Sequence, residues 1–327
     1  MAERTPALPL LVVGSVNMDL VLQAERFPQG GETLLGECYS YIPGGKGANQ
    51  AVAAARLGLA VSFVGRVGGD AHGPTLKRNL AREGIDVELL AVDAGRQTGF
   101  AAIMVEPHGE NRIVVFPGAN MALEEGDLDR AFEGRSYAAA MINLEIPEQV
   151  VLGVCRRALE RRLPVILDAG PVRKLDFHRL QGLEIISPNE SETRAITGLP
   201  CGDPEQAARA AARLLEITGS RYAVLKLGER GALLYPGEGG GAQHVPPFQV
   251  KAVDSTAAGD AFTAAMTAHY LRHGTLAEAV RYANAAAALS VTRLGAQPSM
   301  PTAAEVERFL GRGEAPAGQA RGERQGP

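Results

Sequence analysis

Ala138-Ala139-Ala140-Met141-Ile142, Val165-Ile166-Leu167, Leu183-Glu184-Ile185-Ile186 and Tyr222-Ala223-Val224-Leu225-Lys226-Leu227 are short apolar runs of strand length. Between them lie segments of helix length: Pro147 to Arg161, Glu190 to Thr197 and Pro204 to Thr218. Strands that alternate with helices form βαβ units, so the stretch predicts an α/β fold, a central and mostly parallel sheet flanked by helices. Ligands of such sheets bind outside the carboxyl ends of the strands. There the sequence sets polar residues: Asn143 and Glu145 after the first run, Asp168 after the second, and Ser187-Pro188-Asn189-Glu190 after the third.

Working outward, Leu10 to Val13 reads as a further buried strand that stops at Gly14. The expected loop Ser15-Val16-Asn17-Met18-Asp19 sets Asn17 and Asp19 at the ligand edge, as hydroxyl ligands or as a local Asx-turn. Pro43 to Gln50 is a glycine-rich entrance to a helix predicted over Ala51 to Leu57. Lys46 in it either neutralises charge or braces its loop. The entrance is no Walker A motif, and no G-x-G-x-x-G follows the first strand, which disfavours a dinucleotide fold. Val61 to Val64 is a strand, Gly65 to Gly73 a loop and Thr75 to Glu83 a helix. Short strand-like pieces at Leu20 to Leu22 and Glu37 to Ile42, with Gly99 to Val105 and Asn111 to Phe116 around the turn cluster Pro107 to Glu110, predict a separate small sheet. We read it as a lid, about 20–42 and 97–117. One large domain over 10–310 would then carry a flexible start at 1–9 and a disordered tail at 311–327.

Gly231 to Tyr235 and Gln243 to Val250 lead to Val253-Asp254-Ser255-Thr256-Ala257-Ala258-Gly259-Asp260-Ala261-Phe262, which opens an Ala-rich helix over Asp260 to His273. Further helices follow at Leu276 to Leu294 and Thr302 to Leu310. Ala257, Ala258 and Gly259 carry almost no side chain, and the first amides of a helix are unpaired and favour anions. Asp260 beside that anion hole suggests a base for phosphoryl transfer to a hydroxyl, or a simple helix cap. Asn189 and Glu192, three apart at a helix start, suit a hydrated Mg²⁺ or a capping box. Lys226-Leu227-Gly228-Glu229-Arg230-Gly231 offers glycine backbone and two cations for a nucleotide, or a plain turn. His269 and His273 read as a favourable helix C-terminus rather than as metal ligands.

Composition excludes other classes. A net charge of −4 with no Lys/Arg block argues against nucleic acid and anionic membranes as partners. No run is long enough for a membrane span, and the first nine residues lack a signal-peptide layout. Three scattered cysteines suggest buried thiols in a reducing compartment, so a cytoplasmic protein is expected. G-x-S-x-G and H-R-D are absent, which leaves hydrolase and protein-kinase readings without an anchor.

Taken together, Gly14 to Asp19, Gly44 to Ala53 and Asp254 to Phe262 resemble the signature regions of the ribokinase-like carbohydrate kinases. Pro188-Asn189-Glu190 and Gly295-Ala296-Gln297-Pro298-Ser299 are similar to shorter landmarks, and the likeness spans about Leu10 to Leu310. The resemblance implies ATP-dependent phosphorylation of a sugar's primary hydroxyl, with the 5-hydroxyl of D-ribose the leading acceptor, and a homodimer formed through the lid. It makes Asp260 the base and the Ala257 to Asp260 amides the anion hole. It places Asn17, Met18, Asp19, Gly45, Lys46, Gly47, Ala48, Asn49 and Glu145 around the sugar, and Asn189 and Glu192 at the Mg²⁺-nucleotide end. Lys226 to Gly231, Gly259 and Asn284 fall around ATP. Asp254, Thr256, Ser290, Arg293, Gly295 and Ser299 match a K⁺ loop, the lesser alternative being that Asp254 makes a turn hydrogen bond or pairs with Arg293. Ser255, Lys226 and Asn284 depart from residues common in the family. Rival acceptors are a nucleoside, another free sugar, or a phosphosugar met by Arg26, Arg96 or Arg112. A non-catalytic sugar-binding protein is disfavoured, because binding alone needs no Asp260.

Overall fold

The computed structural model describes residues 7–106, 111–172, 175–237 and 240–311. The turn cluster Pro107 to Glu110, the tail beyond Gly311 and residues 1–6 lie outside them.

The strands in chain order are β1 (Pro9–Val13), β2 (Asn17–Gln23), β3 (Cys38–Gly44), β4 (Ala60–Gly68), β5 (Leu90–Asp93), β6 (Gly99–Val105), β7 (Asn111–Phe116), β8 (Ala139–Asn143), β9 (Val165–Asp168), β10 (Leu183–Ile186), β11 (Tyr222–Lys226), β12 (Ala232–Tyr235) and β13 (Gln243–Val245). The helices are α1 (Lys46–Arg56), α2 (His72–Arg82), α3 (Glu125–Phe132), α4 (Glu148–Glu160), α5 (Glu190–Thr197), α6 (Pro204–Thr218), α7 (Ala258–His273), α8 (Leu276–Ser290), α9 (Ala296–Ser299) and α10 (Ala303–Gly311).

A large sheet runs β13-β12-β11-β10-β9-β8-β1-β4-β5, parallel except where β12 opposes both of its neighbours. Side chains alternate across each strand. Leu10 and Val12 of β1 therefore join the core formed with α1, α7 and α8, while Leu11 and Val13 join the one formed with α3, α4 and α6. Helices cover both faces of the central strands, so β1 and β8 read as unbroken apolar runs. The helix starts carry the expected chemistry. Asp203 caps α6 through the amide of Gln206, and Pro204 follows at the first helical position.

The small sheet is separate, in the order β3-β2-β6-β7, with its inner pair β2 and β6 parallel and its outer pairs antiparallel. Its four strands are the four short pieces foreseen from sequence. Other expectations need correction. Asn17 and Asp19 lie on β2 rather than in a loop, because the chain leaves the large sheet at Gly14 and pairs at once with β3. The strand read as Val61 to Val64 continues to Gly68, since β5, which was not foreseen, pairs with its second half. Helix α1 starts at Lys46, five residues early. The turn Gly118–Ala122 and α3 were missed, and Cys38 is exposed on β3 rather than buried.

Helix α1 must lie very close to β1 for its residues to reach the sheet edge. A Cβ on Gly47 would stand 2.7 Å from the Cα of Gly14 and 2.7 Å from the amide nitrogen of Ser15, both backbone atoms that cannot give way. Gly47→Ala is therefore expected to destabilise the fold by roughly 1–3 kcal/mol through overpacking. A urea midpoint equal to that of the wild type would show that α1 can shift freely.

Candidate active site

Strand β1 sits between β4 and β8. The chain winds first toward β5 and then, from β8 onward, toward β13, so the order reverses beside β1 and leaves a crevice at the carboxyl edge. A cleft of about 640 Å³ opens there. Asn17, Asp19, Gly45, Lys46, Asn49, Glu145, Asn189, Glu192, Lys226 and Ala257 to Asp260 all line it, and the small sheet adds Ala101, Ile103, Ile113 and Val115. A second cleft of about 390 Å³ shares Lys226, Gly228, Ser255, Ala258 and Gly259 with the first. Its remaining wall is largely apolar, with Phe248, Val250, Phe262, Ala287, Ala288 and Val291 beside Asn284, Glu229 and Gly231. The two clefts meet at the first turn of α7.

Ala257 holds that turn in the left-handed region at φ 59°, unusual for a residue with a side chain. Helix α7 starts on the next residue. The amide of Ala258 donates to the carbonyl of Ser255 at 3.3 Å, whereas Gly259 and Asp260 occupy first-turn positions for which a helix provides no carbonyl partner. Asp260 is only 3% exposed. Its oxygens accept from Asn49 Nδ2 at 3.0 Å and Gln50 Nε2 at 3.1 Å, and Lys46 Nζ stands 3.7 Å away. Burial pushes the Asp260 pKa up and Asp168 adds to this, while Lys46 and Asn49 work in the other direction. A carboxylate raised in this way is more basic than a solvated one, as a proton acceptor should be.

Beneath it lies a partner that the sequence reading did not place in the site. Gln50 Nε2 also donates to Asp168 Oδ2 at 2.9 Å, so one amide ties two buried carboxylates together. Asp168 further accepts from Thr263 and from Lys226 Nζ, the latter at 3.1 Å. Burial opposes its charge, but Lys226 and Lys46 keep its pKa below the ordinary value. Burial likewise works against the Lys46 ammonium, yet Asp168, Asp260, Glu145 and Glu192 together raise its pKa. Asp168 was noted only as a strand-end carboxylate, and Gln50 is simply the next residue after Asn49.

On the other side of the cleft, Asn17 Oδ1 accepts from Asn120 Nδ2 at 2.7 Å, and Ser15 Oγ donates to Glu145. Asn120 lies on the unforeseen turn after β7 and had no periodic signal to reveal it. Among the described residues, the buried oxygens Asp19 Oδ1, Asn49 Oδ1 and Gln50 Oε1 are among those that have no hydrogen-bond partner. Unpaired buried acceptors are costly, and Asp19 and Asn49 line the cleft, where ligand donors can satisfy them.

Other expected residues lie elsewhere or are engaged within the fold. Met18 and Ala48 are buried in the core, Gly47 is the α1–β1 contact, and Leu227 is buried. Arg230, which lines neither cleft, donates to the carbonyls of Cys201 and Gly202 and pairs with Glu190 at the rim of the first. Asn189 and Glu192 form a reciprocal capping box at the start of α5. Arg293 pairs with Glu305, not with Asp254, whose oxygens accept from Thr256 and from the amide of Gly295. His269 and His273 end α7 with their ring centroids 4.4 Å apart.

Comparison with known proteins places this architecture among the sugar-phosphorylating enzymes. Residues 8–303 match the model of the pfkB family carbohydrate kinases. The ribokinase of Haemophilus influenzae is 38% identical over 302 residues, 92% of this chain and 98% of its own. The deoxyribokinase of Salmonella typhi is 34% identical over 93% of this chain and 99% of its own. A solved structure of the Arabidopsis thaliana ribokinase complexed with ribose and ATP is 35% identical, with a TM-score of 0.84 over 93% of this chain and 99% of that one. The chain belongs to the pfkB family of carbohydrate kinases, and it is a phosphotransferase of the ribokinase type.

Burial, then Glu145 and Asp260, raise the Asp19 pKa from 3.8 to about 7. Between those values the folded chain keeps a proton that the unfolded chain releases, so this group's contribution makes stability fall as pH rises through the window. Asp19→Asn is expected to flatten that part of the stability–pH curve of the ligand-free protein and to raise the unfolding midpoint above pH 7. A slope identical to the wild type's would remove Asp19 as its source.

Proposed function

We propose that the protein transfers the γ-phosphoryl group of ATP to the 5-hydroxyl of D-ribose, giving ribose 5-phosphate and ADP. The observation that carries this reading is the buried Asp260 carboxylate at the meeting of two unlike clefts. One is rimmed by the unpartnered oxygens of Asp19 and Asn49, and the other is apolar enough for a purine. The ribokinase relatives and the neighbour solved with ribose and ATP support it.

Asp19 and Asn49 accept hydrogen bonds from sugar hydroxyls and hold the 5-hydroxyl beside Asp260. Asp260 takes its proton as the oxygen attacks the γ-phosphorus, and the bond to the β,γ-bridging oxygen breaks with its electron pair leaving on ADP. The first-turn amides of α7 face the charge that develops. A phosphosugar acceptor finds less support, since the three arginines proposed to meet its phosphate are engaged elsewhere. Arg26 pairs with Glu32, Arg96 with Asp93, and Arg112 stacks over Phe27.

Among the described residues no cluster of three acidic, His or Cys side chains could cage a metal. Asn189, Glu190 and Glu192 do bring oxygens to the cleft, which fits a Mg²⁺ that keeps most of its waters. Bound there, it would offset charge on the ATP phosphates. Asp254 has its pKa lowered, burial being outweighed by hydrogen bonds from Thr256 and Gly295, and among the described residues it has no Lys or Arg partner. An ionised carboxylate without a cation fits K⁺, with Thr256, Ser290, Gly295 and Ser299 supplying further oxygens. The exposed apolar side chains Tyr39, Tyr41, Val114 and Phe116, which alternation places on one face of the small sheet, suit a homodimer through the lid. Sedimentation velocity would show a species of twice the chain mass.

With ATP and Mg²⁺, D-ribose is expected to release ADP faster than 2-deoxyribose, inosine or fructose 6-phosphate. Asp260→Asn should lower kcat by about 10² to 10⁴ at near-normal ribose affinity. Faster turnover of another acceptor would reassign the substrate, and near-normal kcat in the variant would remove the base. Replacing K⁺ by a bulky organic cation at constant ionic strength should lower kcat in the wild type and leave Asp254→Ala unmoved. An unchanged wild-type kcat would take the cation out of the mechanism.

A further inference from the structure

We infer that Lys226 is a catalytic cation for the transferred phosphoryl group, set over the first turn of α7 where the two clefts join and held in place by Asp168. The inference rests on the kinase reading above but not on ribose being the acceptor.

Lys226 ends β11 and lines both clefts. Its side chain is 11% exposed, and Asp168 beside it is fully buried. A Cβ placed on Gly259 would lie 3.6 Å from Lys226 Nζ, so the ammonium rests against the turn whose amides lack helix partners. An ammonium has three donors. Among the described residues the hydrogen bond to Asp168 is the one that Lys226 Nζ makes, which leaves two for an anion. Lys46, the other cation lining the cleft among the described residues, faces Asp260 instead. Asp168 is itself fixed by Gln50 and Thr263, so it can hold Lys226 without being drawn out of place.

The chemistry calls for a cation at this point. As the acceptor oxygen bonds to the γ-phosphorus and the bridging P–O bond breaks, the electron pair passes to ADP and the hydroxyl proton to Asp260. Negative charge is then spread over the γ-oxygens and the leaving oxygen, midway between the sugar and the purine. A preset, largely buried ammonium is worth more there than one that must be recruited from solvent. A purely structural role explains the pair less well, because a buried lysine–carboxylate pair adds little net stability over neutral residues of similar size.

The test compares Lys226→Met with the double variant Lys226→Met/Asp168→Asn, which removes the charge pair without stranding a buried carboxylate. Two quantities are read: kcat for ADP release, and calorimetric affinity for ADP with Mg²⁺, alone and with fluoroaluminate as a mimic of the transferring phosphoryl group. Both variants should lose about 10² to 10³ in kcat and a similar factor in fluoroaluminate-dependent affinity, while ADP alone binds within about threefold of wild type. A double variant that regains wild-type kcat, or affinities for ADP and its fluoroaluminate complex that fall equally, would overturn the assignment and leave Lys226 as the counter-ion of Asp168. If the wild type releases no ADP with ribose, the ribose reading fails while the fluoroaluminate titration still decides Lys226.

Discussion

Holding several carboxylates in one crevice is the constraint on which this site depends. Asp19, Glu145, Asp168 and Asp260 converge at the carboxyl edge of the sheet, and among the described residues Lys46 and Lys226 are the cations that line the cleft as counter-charges. Left alone, such carboxylates would take up protons. The fold divides them instead. Asp168, paired with Lys226 and bonded by Gln50 and Thr263, stays charged, while the pKa values of Asp19 and Asp260 rise. One set of acids thus yields a fixed anion and carboxyls of raised proton affinity, a separation made by environment rather than by residue type.

Helix α1 supplies most of this division. Lys46, Asn49 and Gln50 all come from its first turns and all reach Asp260, although more than 200 residues separate them along the chain. They reach it because glycine at 47 lets the helix lie against Gly14 at the end of β1, and because the Ala-rich α7 can pack closely on α1. The glycine and alanine content of these segments is therefore part of the active-site geometry. The cost is carried by the unpaired oxygens of Asp19, Asn49 and Gln50, which a ligand-free fold leaves unsatisfied.

The small sheet completes the crevice. It turns Asn17 and Asp19, with the apolar residues Ala101, Ile103, Ile113 and Val115, toward the same cleft. Its alternation places Val114 and Phe116 on the opposite face, where they remain exposed. Period-2 patterning alone gives one sheet both a ligand wall and an apolar outer surface.

Local chemistry determined much of this by itself. The alternation of apolar runs with helix-length segments specified the parallel sheet, small residues before Asp260 specified a helix start with open first-turn amides, and polar residues at strand ends marked the rim of the cleft. These are properties of neighbours in the chain, so the chain records them. The early start of α1 and the continuation of β4 to Gly68 depended on β1 and β5, distant partners that override local preference. The pairing of Asp168 with Lys226, the bridge of Gln50 between two carboxylates and the support of Asn17 by Asn120 were likewise set only by tertiary structure. Each joins residues many tens of positions apart, and a hydrogen bond of that range leaves no spacing or periodicity in the sequence from which it could be read.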